Sequence, residues 1–256
     1  MVTRAGASHI GSSLSAVDIL SVLYGGFLKV DPRNPDLPDR DRLIFSKGHA
    51  AAACYATLAE AGFFPLSLLD TYCRNGSVLS GHVTRSGVPG VELSTGSLGH
   101  GLPVGCGMAL AASRDNKPWR VLVLMSDGEC DEGSNWEAAL FAGHHKLDNL
   151  TAIIDCNAQQ GMGETNKVLD LEPLADKWRS FKWAVREING HDHAQIGQAL
   201  NAIPFEEGKP SMILARTIKG KGVSFMENRL EWHYKSPNAE QLKQALDEVS
   251  NGPNRS

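Results

Sequence analysis

Two short apolar runs, each ended by polar, oxygen-bearing residues, constrain this chain most. Val121-Leu122-Val123-Leu124-Met125 leads into Ser126-Asp127-Gly128-Glu129, and Ala152-Ile153-Ile154 leads into Asp155-Cys156-Asn157. Short apolar runs bounded by polar turns read as strands buried on both faces of a parallel sheet. The stretch between them, Ser134 to Lys146, reads as helix, so the three pieces make a strand-helix-strand unit. Both polar ends then fall at the carboxyl ends of strands, the edge where open α/β sheets bind ligands. An Asp-Gly pair after a strand is, alone, only a turn signal. Paired with an Asn closing the next strand, it sets a carboxylate beside a neutral amide oxygen. That combination suits a hard divalent cation such as Mg2+, which takes oxygen ligands and keeps phosphate oxygens in its shell.

The rest of the chain alternates in the same way. Ala16 to Phe27 carries apolar residues at helical spacing, and Asp31-Pro32-Arg33-Asn34-Pro35 breaks it. Leu43-Ile44-Phe45 is a strand ending in Ser46-Lys47-Gly48-His49, followed by an Ala-rich helix from Ala50 to Ala61. From Gly76 to Gly101 the sequence is dominated by Gly, Ser, His and Thr; a loop this long in a compact domain points to function. A small-residue helix, Leu102 to Ser113, leads to the central unit. Beyond it, Gly161-Met162-Gly163 begins a loop. Helix (Leu174 to Phe181), strand (Ala184 to Ile188), helix (Ala194 to Ile203) and strand (Ser211 to Thr217) follow. A polar loop runs from Lys219 to Pro237, and Ala239 to Val249 is a closing helix. The alternation predicts a parallel sheet covered by helices on both faces. At 256 residues the chain can form one large α/β domain.

Composition excludes several classes. A net charge of −4 gives no footprint for nucleic acid or an anionic membrane surface. No apolar run reads as long enough to span a bilayer, and no signal peptide is visible. The five cysteines form no CxxC pair, so neither a zinc ribbon nor a thioredoxin-like site is supported, and they read as reduced thiols of a cytosolic (cytoplasmic) protein. The start, Met1-Val2-Thr3-Arg4-Ala5-Gly6, runs abruptly into a Gly/Ser/His-rich segment, ahead of which a helix is expected.

Six segments together resemble the amino-terminal, diphosphate-binding half of transketolase, nearly end to end. They are Ala7-Ser8-His9-Ile10-Gly11, Ser46-Lys47-Gly48-His49, Gly81-His82, Ser94-Thr95-Gly96-Ser97-Leu98-Gly99, the Asp127/Asn157 pair, and Lys219-Gly220-Lys221-Gly222-Val223-Ser224. The resemblance implies thiamine diphosphate, a divalent cation (Mg2+, Ca2+ or Mn2+), and transfer of a two-carbon ketol unit between sugar phosphates. It implies that Asp127 and Asn157 bind the ion through side-chain oxygens and Gln159 through its backbone carbonyl. Gly128 would admit the phosphate close to the main chain, with Glu129 beside it. The family's metal motif opens with Gly-Asp-Gly, and here Ser126 replaces the first Gly, a change that a positive-φ position would resist.

Nine histidines are many for this length. His9, His49, His82 and His233 match pocket positions of the family: His49 and His233 near the diphosphate, and His9, His82 and His233 where substrate hydroxyls are bound and protons moved. Imidazole suits this work, since its ordinary pKa is near neutrality and its two nitrogens can donate and accept. Tyr234 follows His233 where the family has Gly, and His100 stands where Gln is common. His144 and His145 read as structural, mid-helix. Gly96, Ser97 and Leu98 resemble the segment against the cofactor rings. Glu132 resembles an interface carboxylate that links two active sites; alternatively it is a helix N-terminal acid favoured by the dipole.

The resemblance also implies a missing part. In this superfamily a Glu from a pyrimidine-binding domain pairs with the cofactor's aminopyrimidine, and this chain is too short to contain that domain. The expectation is a split enzyme with the active site between chains: this subunit, a carboxy-terminal transketolase subunit carrying the pyrimidine domain, and two copies of each. The polar ending resembles the natural end of split subunits, although a truncated chain would look similar. Competing readings are part of another thiamine diphosphate enzyme (a 1-deoxyxylulose-5-phosphate synthase or the alpha chain of a 2-oxo acid dehydrogenase) and a non-catalytic binding subunit. An α/β hydrolase would need a Gly-x-Ser-x-Gly elbow, which is lacking.

Overall fold

The computed structural model describes residues 1–252. Five parallel strands form one sheet: β1 (Arg42–Phe45), β2 (Val121–Ser126), β3 (Leu150–Cys156), β6 (Ala184–Asn189) and β7 (Ser211–Arg216), in the order β1-β2-β3-β7-β6. A separate antiparallel hairpin pairs β4 (Gln159–Gln160) with β5 (Gly163–Glu164). The helices are α1 (Val2–Ala5), α2 (Ile10–Val22), α3 (Ala51–Glu60), α4 (Gly101–Arg114), α5 (Gly133–His144), α6 (Thr165–Val168), α7 (Leu174–Ser180), α8 (His193–Asn201) and α9 (Ala239–Asn251).

The apolar runs of β2 and β3 are continuous because both faces are covered. Leu122, Leu124 and Ile153 pack with α2, α3 and α8, whereas Val121, Val123, Met125, Ala152 and Ile154 pack with α4, α5 and α7. Alternate residues thus enter two separate cores, the side-chain period of a strand. A third small cluster, Val223, Met226 and Trp232, fastens the segment after β7 against Ile10 and Leu14 of α2.

Several boundaries differ from the sequence reading. The first long helix starts at Ile10, not Ala16, and continues past Val22 as a π-helical turn over Leu23–Phe27. The segment Ile10–Phe27 is 18 residues with mean hydropathy 1.3, so by length and composition one stretch does reach a membrane-spanning value. Its Ala16, Ile19, Leu20 and Leu23 lie in the sheet's core, which identifies a core helix of the fold. The loop expected from Gly161 is the turn of the β4–β5 hairpin, and the polar loop after β7 contains a 3-10 turn, Leu230–His233. His144 and His145 are not mid-helix: α5 ends at His144, and His145 caps it. All five cysteines are free, as expected.

Candidate functional site

The carboxyl ends of β1, β2, β3 and β7 deliver the chemistry to one edge. At the end of β1, Lys47 is completely buried and paired with Asp155 at the end of β3. Asp155 also accepts from the hydroxyls of Ser15 (2.6 Å) and Thr217, and the Lys47 ammonium donates to the Ser12 carbonyl (3.1 Å). Two strands, helix α2 and the segment after β7 are thereby tied at one buried ion pair. Such a pair is tolerated only with its remaining lone pairs and protons satisfied, as they are here. Sequence reasoning gave neither residue a role of its own. The available signal was a charge at the end of each of two apolar strands, which burial obliges to find a partner.

Asp127 and Asn157 stand on neighbouring strand ends. The Asp127 carboxylate accepts from the backbone N–H of Gly128 (2.8 Å) and of Ala158 (2.6 Å), so it also pins the turn after β3. Ala158 adopts a left-handed φ of 61°, strain that is held by its surroundings and typical of functional turns. Asn157 Oδ1 accepts from the Gln159 N–H at 3.1 Å. Burial, then the neighbouring Asp155, pushes Asp127 up to about 7. Among the described residues no group of three or more His, Cys, Asp or Glu is placed to hold an ion alone. An ion on Asp127 and Asn157 would therefore take further oxygens from a ligand, and the buried, charge-frustrated carboxylate fits a cation. Ser126 is the last residue of β2 and is not among the positive-φ positions, so the replacement of Gly there meets no backbone conflict. At Gly128, an added Cβ would stand 2.8 Å from the Gln160 Cβ, because the β4–β5 hairpin lies directly on this turn.

Four histidines converge on one another, and two of them, His49 and His233, share a cavity with this pair. The His9 ring centroid is 5.4 Å from His49, 5.8 Å from His82 and 5.0 Å from His233, and His49 is stacked with His233 at 5.7 Å. His9 caps α2 with a left-handed φ of 70°, and its N–H donates to the His233 carbonyl at 3.0 Å. His82 packs against Gly96, and the Tyr55 hydroxyl holds its carbonyl (2.9 Å). Lys219, 1% exposed, donates to His233 Nδ1 at 2.7 Å, which leaves the proton of a neutral His233 on Nε2. Burial, then Lys47, brings Lys219 down to about 8. Burial, then His82 and Lys219, brings His9 down to about 4; burial, then Lys219, His9 and Lys47, brings His233 down to about 3. Burial likewise holds His49 well below its ordinary value. These three imidazoles are neutral at pH 7. Lys219, like Lys47 and Asp155, has no role legible in the sequence alone; it opens the Lys219–Ser224 segment, but only the fold brings it to His233.

A cavity of about 270 Å³ is lined by Asp127, Asn157, Gln159, His49, Lys219 and His233, with Gly96, Leu98 and Gly128 on its wall. Asp127, Asn157 and Gln159 also face a neighbouring cavity of about 440 Å³. Ser97 is exposed on the loop between Gly96 and Leu98. Glu129 is turned into the interior, where it accepts from the Ser46 hydroxyl and from the N–H groups of Gly99 (3.0 Å) and Ser126 (3.3 Å). Burial pushes its carboxyl up. It thus buttresses the Gly96–Gly99 loop rather than lining the cavity. Glu132 is the exposed N-cap residue of α5, without a side-chain capping bond, and lies against Gly99. His100 Nδ1 is 2.9 Å from the Leu98 carbonyl, a local loop contact.

Residues 1–255 match the family model described as transketolase, thiamine diphosphate binding domain. The chain is 46% identical over 248 residues to 6-deoxy-6-sulfo-D-fructose transketolase subunit SqwG of Clostridium sp. (strain MSTE9), covering 97% of this chain and 90% of that protein. It is also 46% identical, over 250 residues, to an apulose-4-phosphate transketolase subunit of Phocaeicola vulgatus, covering 98% and 89%. Among solved structures, transketolase from Campylobacter jejuni superposes with a TM-score of 0.92 at 34% identity, over 100% of this chain but 41% of that one. The chain therefore spans most of the subunit relatives and less than half of the crystallised transketolase.

Proposed function

The chain belongs to the family of transketolase thiamine diphosphate-binding domains, and on that premise we propose that it is the cofactor-holding subunit of a split transketolase, moving a two-carbon ketol unit between sugar phosphates together with a second subunit. One observation carries the site assignment. Among the described residues neither buried Asp127 nor buried Lys219 makes a direct ion pair: Lys47 acts on Asp127, and Asp127 and Asp155 act on Lys219, only from a distance. A divalent cation together with a diphosphate would answer both at once. Asp127, Asn157 and the Gln159 carbonyl would hold Mg2+ (or Ca2+ or Mn2+). Lys219, His49 and His233 would face the diphosphate, with Gly96 and Leu98 against the rings.

Bound thiamine diphosphate supplies a thiazolium carbon that becomes the nucleophile on deprotonation. The chain's own task is to orient substrate and move its protons. Neutral His9, low in pKa and aligned by the His233 carbonyl, can accept a hydrogen bond or a proton from a substrate hydroxyl. His82, on the exposed side of the cluster, meets substrate first. His233, fixed through Nδ1 by Lys219, presents Nε2–H as a donor. The pyrimidine-domain subunit, in two copies with two of this chain, would complete the site.

Co-expression with a subunit carrying the pyrimidine domain tests the reading. Ketol transfer from xylulose 5-phosphate is expected only with both thiamine diphosphate and Mg2+ present. Cofactor binding accompanied by pyruvate decarboxylation instead would overturn it in favour of the synthase or dehydrogenase class. The two relatives named above share the same identity with this chain yet are named for different sugars, so overall identity does not choose the sugar.

A further inference from the structure

The β4–β5 hairpin is fastened beside the cavity by three side chains. Gln159 Nε2 donates to the Asn228 carbonyl (2.9 Å), Gln160 Nε2 to Asp131 (3.0 Å), and the Tyr234 hydroxyl to the Gly161 carbonyl (2.9 Å). The third differs from the others because it brings an aromatic ring with it. Tyr234 is 60% exposed, and its ring centroid lies 4.7 Å from that of His233, tilted by 55°. Both residues that it joins, Gly161 and His233, line the cavity. An added Cβ at Gly161 would stand 2.6 Å from the Tyr234 hydroxyl and 3.5 Å from His233 Nε2. The bare backbone at 161 therefore leaves room for the Tyr234 hydroxyl to dock.

We infer that Tyr234, docked on Gly161, is a specificity-determining bar across the entrance between His233 and the hairpin. It selects the width of the sugar next to the transferred two-carbon unit, admitting linear ketose phosphates and rejecting branched ones. A phenol bonded to a carbonyl carries no charge, so it sorts substrates by shape rather than by the phosphate that they share. The expected size of the effect is that of one extra carbon in a tight pocket, about tenfold or more. This assignment rests on the ketol-transfer reading above.

The test uses the assembled enzyme with Tyr234→Gly and Tyr234→Phe. The quantity read is the ratio of kcat/KM for a branched ketose phosphate to that for a linear one of equal carbon number. The ratio is internal to each variant, so a general loss of activity cancels. Tyr234→Gly is expected to raise it about tenfold, and an unchanged ratio overturns the selectivity. Hydrogen exchange of the amides at 161 to 163 in the unliganded chain reads the bar independently: both variants should exchange faster, and wild-type protection in both overturns the bar. A wild-type complex without ketol transfer would instead overturn the functional reading, and the substrate assignment with it.

Discussion

Lys219 carries its amine into a buried position with no carboxylate in direct ion-pair contact, and the consequence is measurable without any ligand. Its pKa in the folded chain, about 8, lies below the ordinary 10.5. Between those values the unfolded chain binds more protons than the folded one, so this residue makes stability rise with pH; below about 8 the folded state bears the full cost. Lys219→Met should therefore stabilise the unliganded protein near pH 7, by up to about 3 kcal/mol, with the advantage fading above pH 10.5. Urea unfolding of the two proteins near pH 7 and above pH 10.5 checks this; a pH-independent difference would remove the buried cation from the account. The same substitution should weaken diphosphate binding, because the destabilising charge is the one that an anion needs. At this scale the sequence was legible where a residue ended an apolar run, as with Asp127 and Asn157. It was silent on Lys219, whose partner, His233, is brought near only by the turn at Leu230–His233.

Among the elements, the tie between strand ends matters most. Lys47→Met leaves Asp155 buried and without its cation, and an uncompensated buried charge of this kind costs about 3–5 kcal/mol. Denaturant unfolding of the unliganded chain should show that loss, and a change below about 1 kcal/mol would mean that Ser15 and Thr217 satisfy Asp155 on their own. The central strands could be read from their continuous apolar runs, since β2 and β3 are buried on both faces, and most long helices from the period of their apolar residues. The start of α2 could not. Its first turns bury Gly11, Ser12, Ser13 and Ser15: Ser12 and Ser15 meet Lys47 and Asp155, and Gly11 lies against Lys219 and Trp232, so apolar periodicity vanishes there. The β4–β5 hairpin escaped for a different reason: its strands are two residues each, too short for alternation to register. In both places the local rule was overridden by the demands of the site.

On the scale of the whole molecule, sheet order decides where function collects. The chain builds β1, β2 and β3 in sequence, passes over the next position to lay down β6, and returns with β7 between β3 and β6. The carboxyl ends of β2, β3 and β7 thus lie side by side and bring Asp127, Asn157 and Lys219 into one cavity. Calorimetric titration of thiamine diphosphate into the two-subunit complex, with and without Mg2+, measures directly whether that cavity is a metal-diphosphate site. Wild-type complex should bind the cofactor only with Mg2+, and Asp127→Asn, which keeps an acceptor oxygen but removes the charge, should abolish the Mg2+-dependent affinity. Equal affinity with and without the metal, or Asp127→Asn binding as tightly as wild type, would contradict it.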